Sequence, residues 1–227
     1  MSRPIIVFDL DGTLIDTAPD LLDSLNHSLA AGGIPVADES GFRGFVGHGG
    51  RVMIQRAYAA RQKPLPADEH DRLYTLFLDH YGENIPGRSQ PYPGVIASLD
   101  RFADAGFVLA VCTNKTEGFS RRLLDALGLS GRFAAICGQD TFAFRKPDPR
   151  HLLETIRMAD GDPARAVMVG DSQTDIDTAK AAGIPVVAVD FGYTDRHVRE
   201  FEPSKIISHY DELTVNLAEA LIMAIRA

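Results

Sequence analysis

The sequence predicts an α/β fold: a doubly wound parallel sheet covered by helices on both faces, with a small helical unit inserted after the first strand. Three observations carry this expectation. Short, continuous apolar runs rich in β-branched residues recur along the chain, as strands buried on both faces require. Stretches with helical spacing lie between them, so strand and helix alternate. The alternation lapses over residues 17–85, where helical patterns follow one another with no strand between.

The first apolar run, residues 5–8, opens the sheet. The inserted stretch follows almost at once, with helix-period sets Leu21/Leu22/Leu25/Leu29, Val52/Ile54/Ala57/Tyr58 and Leu73/Leu76/Phe77/Tyr81. Pro86, Gly87, Pro91, Pro93 and Gly94 punctuate its exit, and both connections are expected to lie close together and act as a hinge. The expected division is a core of residues 1–15 and 90–227 and a helical cap of residues 16–89. Beyond the cap the chain reads helix 95–105, strand 107–112, helix 119–127, strand 133–137, helix 150–158, strand 166–169, helix 174–182 and strands 185–189 and 205–207. Leu213, Leu217, Leu221 and Ile225 mark a last amphipathic helix, expected to cover the sheet, with a dimer contact also open. The core is therefore Rossmann-like, with an inserted small α-helical cap domain.

Composition limits the partners. The 227 residues are 45% hydrophobic and 24% charged, enough for a full domain and a smaller one. Acidic residues outnumber basic ones 31 to 23, and a net charge of -8 leaves no basic stripe for a nucleic-acid backbone. An anionic substrate must then be attracted by a local site. Cys112 and Cys137 each end an apolar run and are expected as buried thiols, which suits a reducing compartment. Residues 1–12 carry acids where a secretory segment needs a longer apolar stretch, and no run approaches the roughly 18 apolar residues of a membrane span, so the expected location is the cytoplasm.

Chemistry concentrates at the ends of the predicted strands. In Asp9-Leu10-Asp11-Gly12-Thr13 the period of an extended chain sends both carboxylates to one side, where they repel unless a cation sits between them and a phosphate; magnesium suits that role. A strand ending in an Asp-Gly turn is the other reading of the same residues. Thr113-Asn114-Lys115 follows the next core strand, where a hydroxyl and helix-start amides can hold phosphate oxygens, or simply form a polar loop. In Lys146-Pro147-Asp148-Pro149, Asp148 is a helix cap and Pro149 a first helical residue, which puts the lysine at an electropositive helix start. Gly170-Asp171-Ser172-Gln173-Thr174-Asp175 places Asp171 at a strand end and Asp175 in or near the next helical turn; either can also serve as a cap. All these segments fall at the carboxyl edge of the sheet, where open α/β folds bind ligands.

On these motifs the sequence resembles the haloacid dehalogenase superfamily of phosphatases, whose ordered signatures are Asp-x-Asp-Gly-Thr, a Thr or Ser after a strand, a Lys before a helix and Gly-Asp-x-x-x-Asp. The resemblance spans the chain, including the cap. It implies that Asp9 is a nucleophile forming an aspartyl-phosphate, and that Asp11 protonates the leaving oxygen and then activates water. It also implies that Thr113 and Lys146 grip the phosphoryl oxygens. Mg2+ would be held by Asp9, the carbonyl of Asp11 and Asp171, with Asp175 a direct or indirect ligand.

The presence of Asp11 disfavours the dehalogenase and phosphonate-hydrolase branches, and Lys63, the only lysine in the cap region, lies beside Pro64 at a helix end. Gly47-His48-Gly49-Gly50-Arg51 looks like the substrate-facing loop of the phosphoglycolate phosphatase group. That likeness implies a small phosphorylated carboxylic acid as substrate, with His48 or Arg51 meeting its carboxylate and Asn114 beside the phosphate. A sugar phosphatase, a pyrophosphatase and an enzyme resembling the β-phosphoglucomutases remain alternatives within the superfamily. A non-catalytic phospho-ligand module is the alternative outside it. His27, His70, His80, His151, His197 and His209 lack ligand spacing and are expected in solvent or on helix faces; Phe191-Gly192-Tyr193, after the 185–189 strand, is expected as a packed aromatic loop, with a place at the border of the site also open. Monomer and homodimer are both open.

Overall fold

A computed structural model describes residues 3–36, 46 and 49–225. The chain divides into two compact units, one of Met1–Asp16 and Pro91–Ala227, the other of Thr17–Gln90.

The larger unit is built on β1 (Arg3–Phe8), β2 (Val108–Cys112), β3 (Ala135–Cys137), β4 (Gly161–Gly170), β5 (Val186–Val189) and β6 (Lys205–Ile207). The spatial order is β3-β2-β1-β4-β5-β6 and every pairing is parallel. Because β1 sits between β2 and β4, the chain winds first to one side of it and then to the other. A crevice opens at such a reversal, beyond the carboxyl ends of the strands. Ile5, Ile6, Val7 and Phe8 are all fully buried, so neither face of this strand meets solvent. The helices of this unit are α4 (Val95–Asp104), α5 (Glu117–Ala126), α6 (Pro149–Met158), α7 (Gln173–Ala181) and α8 (Val215–Ile225). Helix α6 packs across β2, β3 and β4 through Leu152 and Ile156, which join Val7, Ala110 and Met168 in the core. Cys112 and Cys137 face each other in register on β2 and β3 as free, buried thiols, and burial pushes Cys112 up to about 12.

Two sequence expectations need correction. Strand β4 begins at Gly161, well before the apolar run at 166–169, because its ladder to β1 continues to the Arg3–Gly161 pair. That first half lies outside the core, where backbone pairing needs no apolar side chain. The last helix starts only at Val215, after a 3-10 turn at Tyr210–Glu212, and buries Ala218 and Ile222. Ile225 is 55% exposed, so the inward stripe is rotated from the predicted Leu217/Leu221/Ile225 line.

The smaller unit holds α1 (Ala18–Ala31), α2 (Gly50–Ala59) and α3 (Ala67–Asn84). Their buried stripes are Leu21, Leu22, Leu25 and Leu29, then Met53, Ile54, Ala57 and Tyr58, then Leu73, Phe77 and Tyr81. Pro19 opens α1, where a missing N–H costs nothing. No described helix is long and apolar enough to cross a membrane.

Candidate active site

Strand β1 ends at Phe8, and the Asp9 N–H makes a last ladder bond to the Val169 carbonyl at 2.9 Å. The chain then turns tightly: the Leu10 carbonyl accepts from the amides of Leu14 and Ile15, both at 3.0 Å. Gly12 takes φ +80, and a Cβ there would stand 2.3 Å from Asp171 Oδ2, so only glycine lets this turn press against the end of β4. Asp9 and Asp11 are thus presented by a turn, not by the extended strand that the spacing suggested.

The neighbouring strands deliver the other groups. Thr113, just past β2, is buried and donates its N–H to the Cys137 carbonyl at 3.0 Å. Asn114 donates its amide to the Lys146 carbonyl at 3.0 Å. Asp148 caps α6 through the Arg150 N–H, as its place before Pro149 predicts. Past β4, Ser172 is the N-cap of α7 and forms a capping box with Asp175.

These turns bring Asp9, Asp171 and Asp175 together, each buried and offering an oxygen within 4.8 Å of the others. Lys146, 3% exposed, is the ammonium among them, 2.5 Å from Asp175 Oδ1 and 3.0 Å from Asp9 Oδ1. Its hydrogen bond goes to Asp175, and Asp9 Oδ1 is left buried without a hydrogen-bond partner. Asp171 accepts from the Thr13 hydroxyl at 3.1 Å and from the Tyr193 N–H at 2.6 Å. Gly192 admits that approach, since a Cβ there would stand 2.3 Å from Asp171 Oδ2.

The charges are out of balance. Burial, then repulsion from Asp175, raises Asp9 to about 6 despite Lys146. Asp171 is raised well above the ordinary carboxylate value by burial, Asp175 and Asp9, in that order. Burial opposes the charge of Lys146, but Asp175 and Asp9 together outweigh it and hold the ammonium above the usual lysine value. Three buried carboxylates against one ammonium, with an orphaned carboxylate oxygen, make an all-oxygen donor set that fits a hard divalent cation.

Asp11 stands apart from that cluster. Its two carboxylate oxygens each lie 3.1 Å from Lys115 Nζ. Arg51 belongs to the helical unit, where it pairs with Asp71 at 2.6 Å and lies over the Tyr74 ring at 4.2 Å. His48 lies outside the described residues.

Nothing local in the sequence assigns Lys115 or His151 a part in the site, and Tyr193 stands there only as an aromatic at its possible border. Of the two expectations for His151, solvent or a helix face, the structure gives the helix face: it lies on α6 and is fully buried. The Lys146 N–H donates to its Nδ1 at 3.2 Å, which leaves Nε2 to donate to the Gly138 carbonyl at 3.1 Å. Its place on the buried stripe of α6 with Leu152, Thr155 and Ile156 is the signal that would have found it. Burial, then the Lys146 charge, lowers His151 from 6.5 to about 4. The unfolded chain therefore binds a proton that the folded chain refuses, and stability falls as pH drops from 6.5 towards 4, by up to about 1.4 kcal/mol per pH unit. His151→Asn keeps an acceptor for Lys146 but does not titrate. Its stability deficit in urea unfolding is expected to shrink by on the order of 1 kcal/mol between neutral and mildly acidic pH. A deficit independent of pH would contradict this account.

Comparison with known proteins agrees with the geometry. The sequence model of the haloacid dehalogenase-like hydrolases matches residues 6–189. A Mesorhizobium japonicum protein named phosphoglycolate phosphatase is 75% identical over 224 residues, covering 99% of each chain. One of the same name from Agrobacterium fabrum is 51% identical over 219 residues, 96% of this chain and 94% of that one. A crystal structure of a predicted phosphoglycolate phosphatase from Haemophilus somnus superposes with a TM-score of 0.86 at 32% identity, covering 94% of this chain and 97% of that one. With the match running from β1 to the end of β5 and relatives similar over nearly their whole length, the chain belongs to the haloacid dehalogenase-like hydrolase family.

Proposed function

We propose that the chain is a magnesium-dependent phosphatase that hydrolyses 2-phosphoglycolate through an aspartyl-phosphate on Asp9. The observation that carries the chemistry is the cluster of Asp9, Asp171 and Asp175 around Lys146, with Asp9 Oδ1 lacking a hydrogen-bond partner. The substrate rests on the name of the relative that is 75% identical over 99% of both chains.

In this reading Asp9 attacks phosphorus while Thr113 and Lys146 draw charge from the phosphoryl oxygens. Asn114 braces Lys146 through its carbonyl. Asp11 gives its proton to the leaving oxygen, then takes one from the water that opens the aspartyl-phosphate. Asp9, the carbonyl of Asp11 and Asp171 would hold the magnesium ion, which would supply charge neutralisation for phosphoryl transfer when bound. Asp175 already accepts from Lys146 on Oδ1 and from Ser172 on Oδ2, which suits it to bracing the site. Residues 16–89 act as the cap that sets specificity, with His48 and Arg51 as its candidate contacts to the substrate.

Phosphate release from 2-phosphoglycolate, hexose phosphates, nucleotides and pyrophosphate, with magnesium and with chelator, tests the reading. 2-Phosphoglycolate is expected to have the highest kcat/KM. Chelation is expected to lower the rate by at least about a hundredfold, the equivalent of a few kcal/mol of lost charge stabilisation, and added magnesium to restore it. A rate unchanged by chelator, or a low rank for 2-phosphoglycolate, would reject the metal or the substrate respectively.

A further inference from the structure

Asp171 is strapped to the turn after β1 at two points. The Thr13 hydroxyl donates to its Oδ1 at 3.1 Å, and its Oδ2 accepts from the Tyr193 N–H at 2.6 Å. The phenol of the same Tyr193, 2% exposed, donates to the carboxylate of Asp16, three residues beyond Thr13. The contacts close a ring that runs from Asp16 through Tyr193, Asp171 and Thr13 and back along the chain. Little slack remains in it. A Cβ on Gly192 would stand 2.3 Å from Asp171 Oδ2, and one on Gly12 would stand 2.9 Å from the Tyr193 ring. The turn is itself closed: the Gly12 N–H donates to the Ile15 carbonyl at 3.0 Å, and the Leu10 carbonyl accepts from Leu14 and Ile15. Asp16 is therefore rigidly connected to Asp9 and Asp11 at the other end of the turn.

The ligands named for magnesium come from the two segments that this ring joins. Asp9 and the Asp11 carbonyl lie on the turn, and Asp171 lies just beyond β4. The ladder bond from the Asp9 N–H to the Val169 carbonyl fixes the two backbones but not the Asp171 side chain. That orientation falls to Thr13 and Tyr193. Magnesium demands near-octahedral oxygen ligands at about 2.0–2.1 Å, so a carboxylate that can drift must be ordered again on binding, which lowers affinity. Tyr193 comes from the loop after β5, a third segment, and its phenol ties that loop back to the turn at Asp16.

We propose that Tyr193 is a positioning residue for magnesium: its hydroxyl, anchored on Asp16, holds its N–H against Asp171 and thereby sets the affinity of the site for the ion. This rests on the ligand set given under Proposed function. The phenol acts through Asp171 and needs no contact with ion or substrate. Phenylalanine at 193 keeps the ring and the N–H and loses the anchor. Alanine at 16 removes the same anchor from the other end.

Thermal unfolding of the full chain at increasing magnesium, without substrate, reads the affinity, because an ion that binds only the folded state raises Tm in step with its concentration. Tyr193→Phe is expected to raise the apparent Kd for magnesium by about tenfold, the lower end of the effect of removing a partner of a metal ligand. The magnesium concentration giving half-maximal phosphate release should rise by the same factor. Asp16→Ala is expected to weaken binding at least as much, and adding Tyr193→Phe to it should weaken binding no further, since the two changes remove one contact. A Tm lowered equally at every magnesium concentration in Tyr193→Phe, with Kd unchanged, would overturn the proposal and leave the hydroxyl as a stabilising contact only. A double variant whose loss is the product of the two single losses would overturn it as well. Should Tyr193→Phe not fold, Asp16→Asn decides, because it loses the charge as alanine does but keeps an acceptor for the phenol. It is expected to bind magnesium about tenfold more tightly than Asp16→Ala, and equal affinities would count against the anchor. A wild type whose Tm ignores magnesium would instead sink the metal reading, and this proposal with it.

Discussion

Asp9→Asn is expected to abolish turnover, by at least about ten-thousandfold, and at the same time to make the metal-free protein more stable. The first effect follows because an amide cannot replace the ionised carboxylate that attacks phosphorus. The second follows from the cost of holding Asp9 ionised among Asp171 and Asp175. Its folded value of about 6 lies above the ordinary 3.8, so the folded state binds this proton more tightly than the unfolded chain does. The sign is then fixed: this carboxylate weakens the fold progressively as pH rises from 3.8 through 6, and the deficit persists above. At neutral pH it amounts to roughly 2 to 3 kcal/mol, most of which the uncharged asparagine should return. Thermal unfolding in chelator measures it, as a higher Tm for the variant. A variant that is inactive and also less stable would point to a damaged site instead of a missing nucleophile.

Asp11→Asn is expected to lower kcat/KM for 2-phosphoglycolate by about a hundredfold to ten-thousandfold, the range for loss of a positioned acid-base. The loss should depend on the leaving group. With p-nitrophenyl phosphate, whose leaving group departs without a proton, formation of the aspartyl-phosphate is expected to survive while its hydrolysis stalls. Rapid mixing should then show a stoichiometric burst of nitrophenolate followed by slow turnover. A loss of less than about tenfold with 2-phosphoglycolate, or no burst with the activated ester, would remove Asp11 from the acid-base role.

The parts of the site legible in the sequence are those announced by a local pattern. Asp9 and Asp171 each close an apolar run, and Lys146 precedes a Pro-Asp-Pro helix start, so neighbouring residues alone marked them. The pairing of Lys115 with Asp11 joins positions 104 residues apart, and no local pattern carries it. Tyr193 stands in the sequence as an aromatic at a possible border of the site, yet what it gives the site is its backbone N–H, a group every non-proline residue has. His151 was hidden by polarity: on the apolar stripe of α6 it reads as an exception until its two backbone partners are seen. The sheet is legible in the sequence where it is buried and illegible where it is not, which is why the apolar pattern marks β4 only at 166–169 and carries no sign of its outer half.

The order of the strands bears on how the site behaves when the protein breathes. Asp9, Thr113 and Asp171 hang from β1, β2 and β4, the contiguous middle of the sheet, whereas Lys146 comes off the far side of β3, an outermost strand. Margins of a sheet fray first, and their amides exchange with solvent sooner than central ones. Asn114 and His151 tie the Lys146 backbone to β2 and α6, and the same imidazole holds the Gly138 carbonyl just past β3. Loosening of that outer strand therefore reaches the charge that faces Asp9 through a single histidine ring.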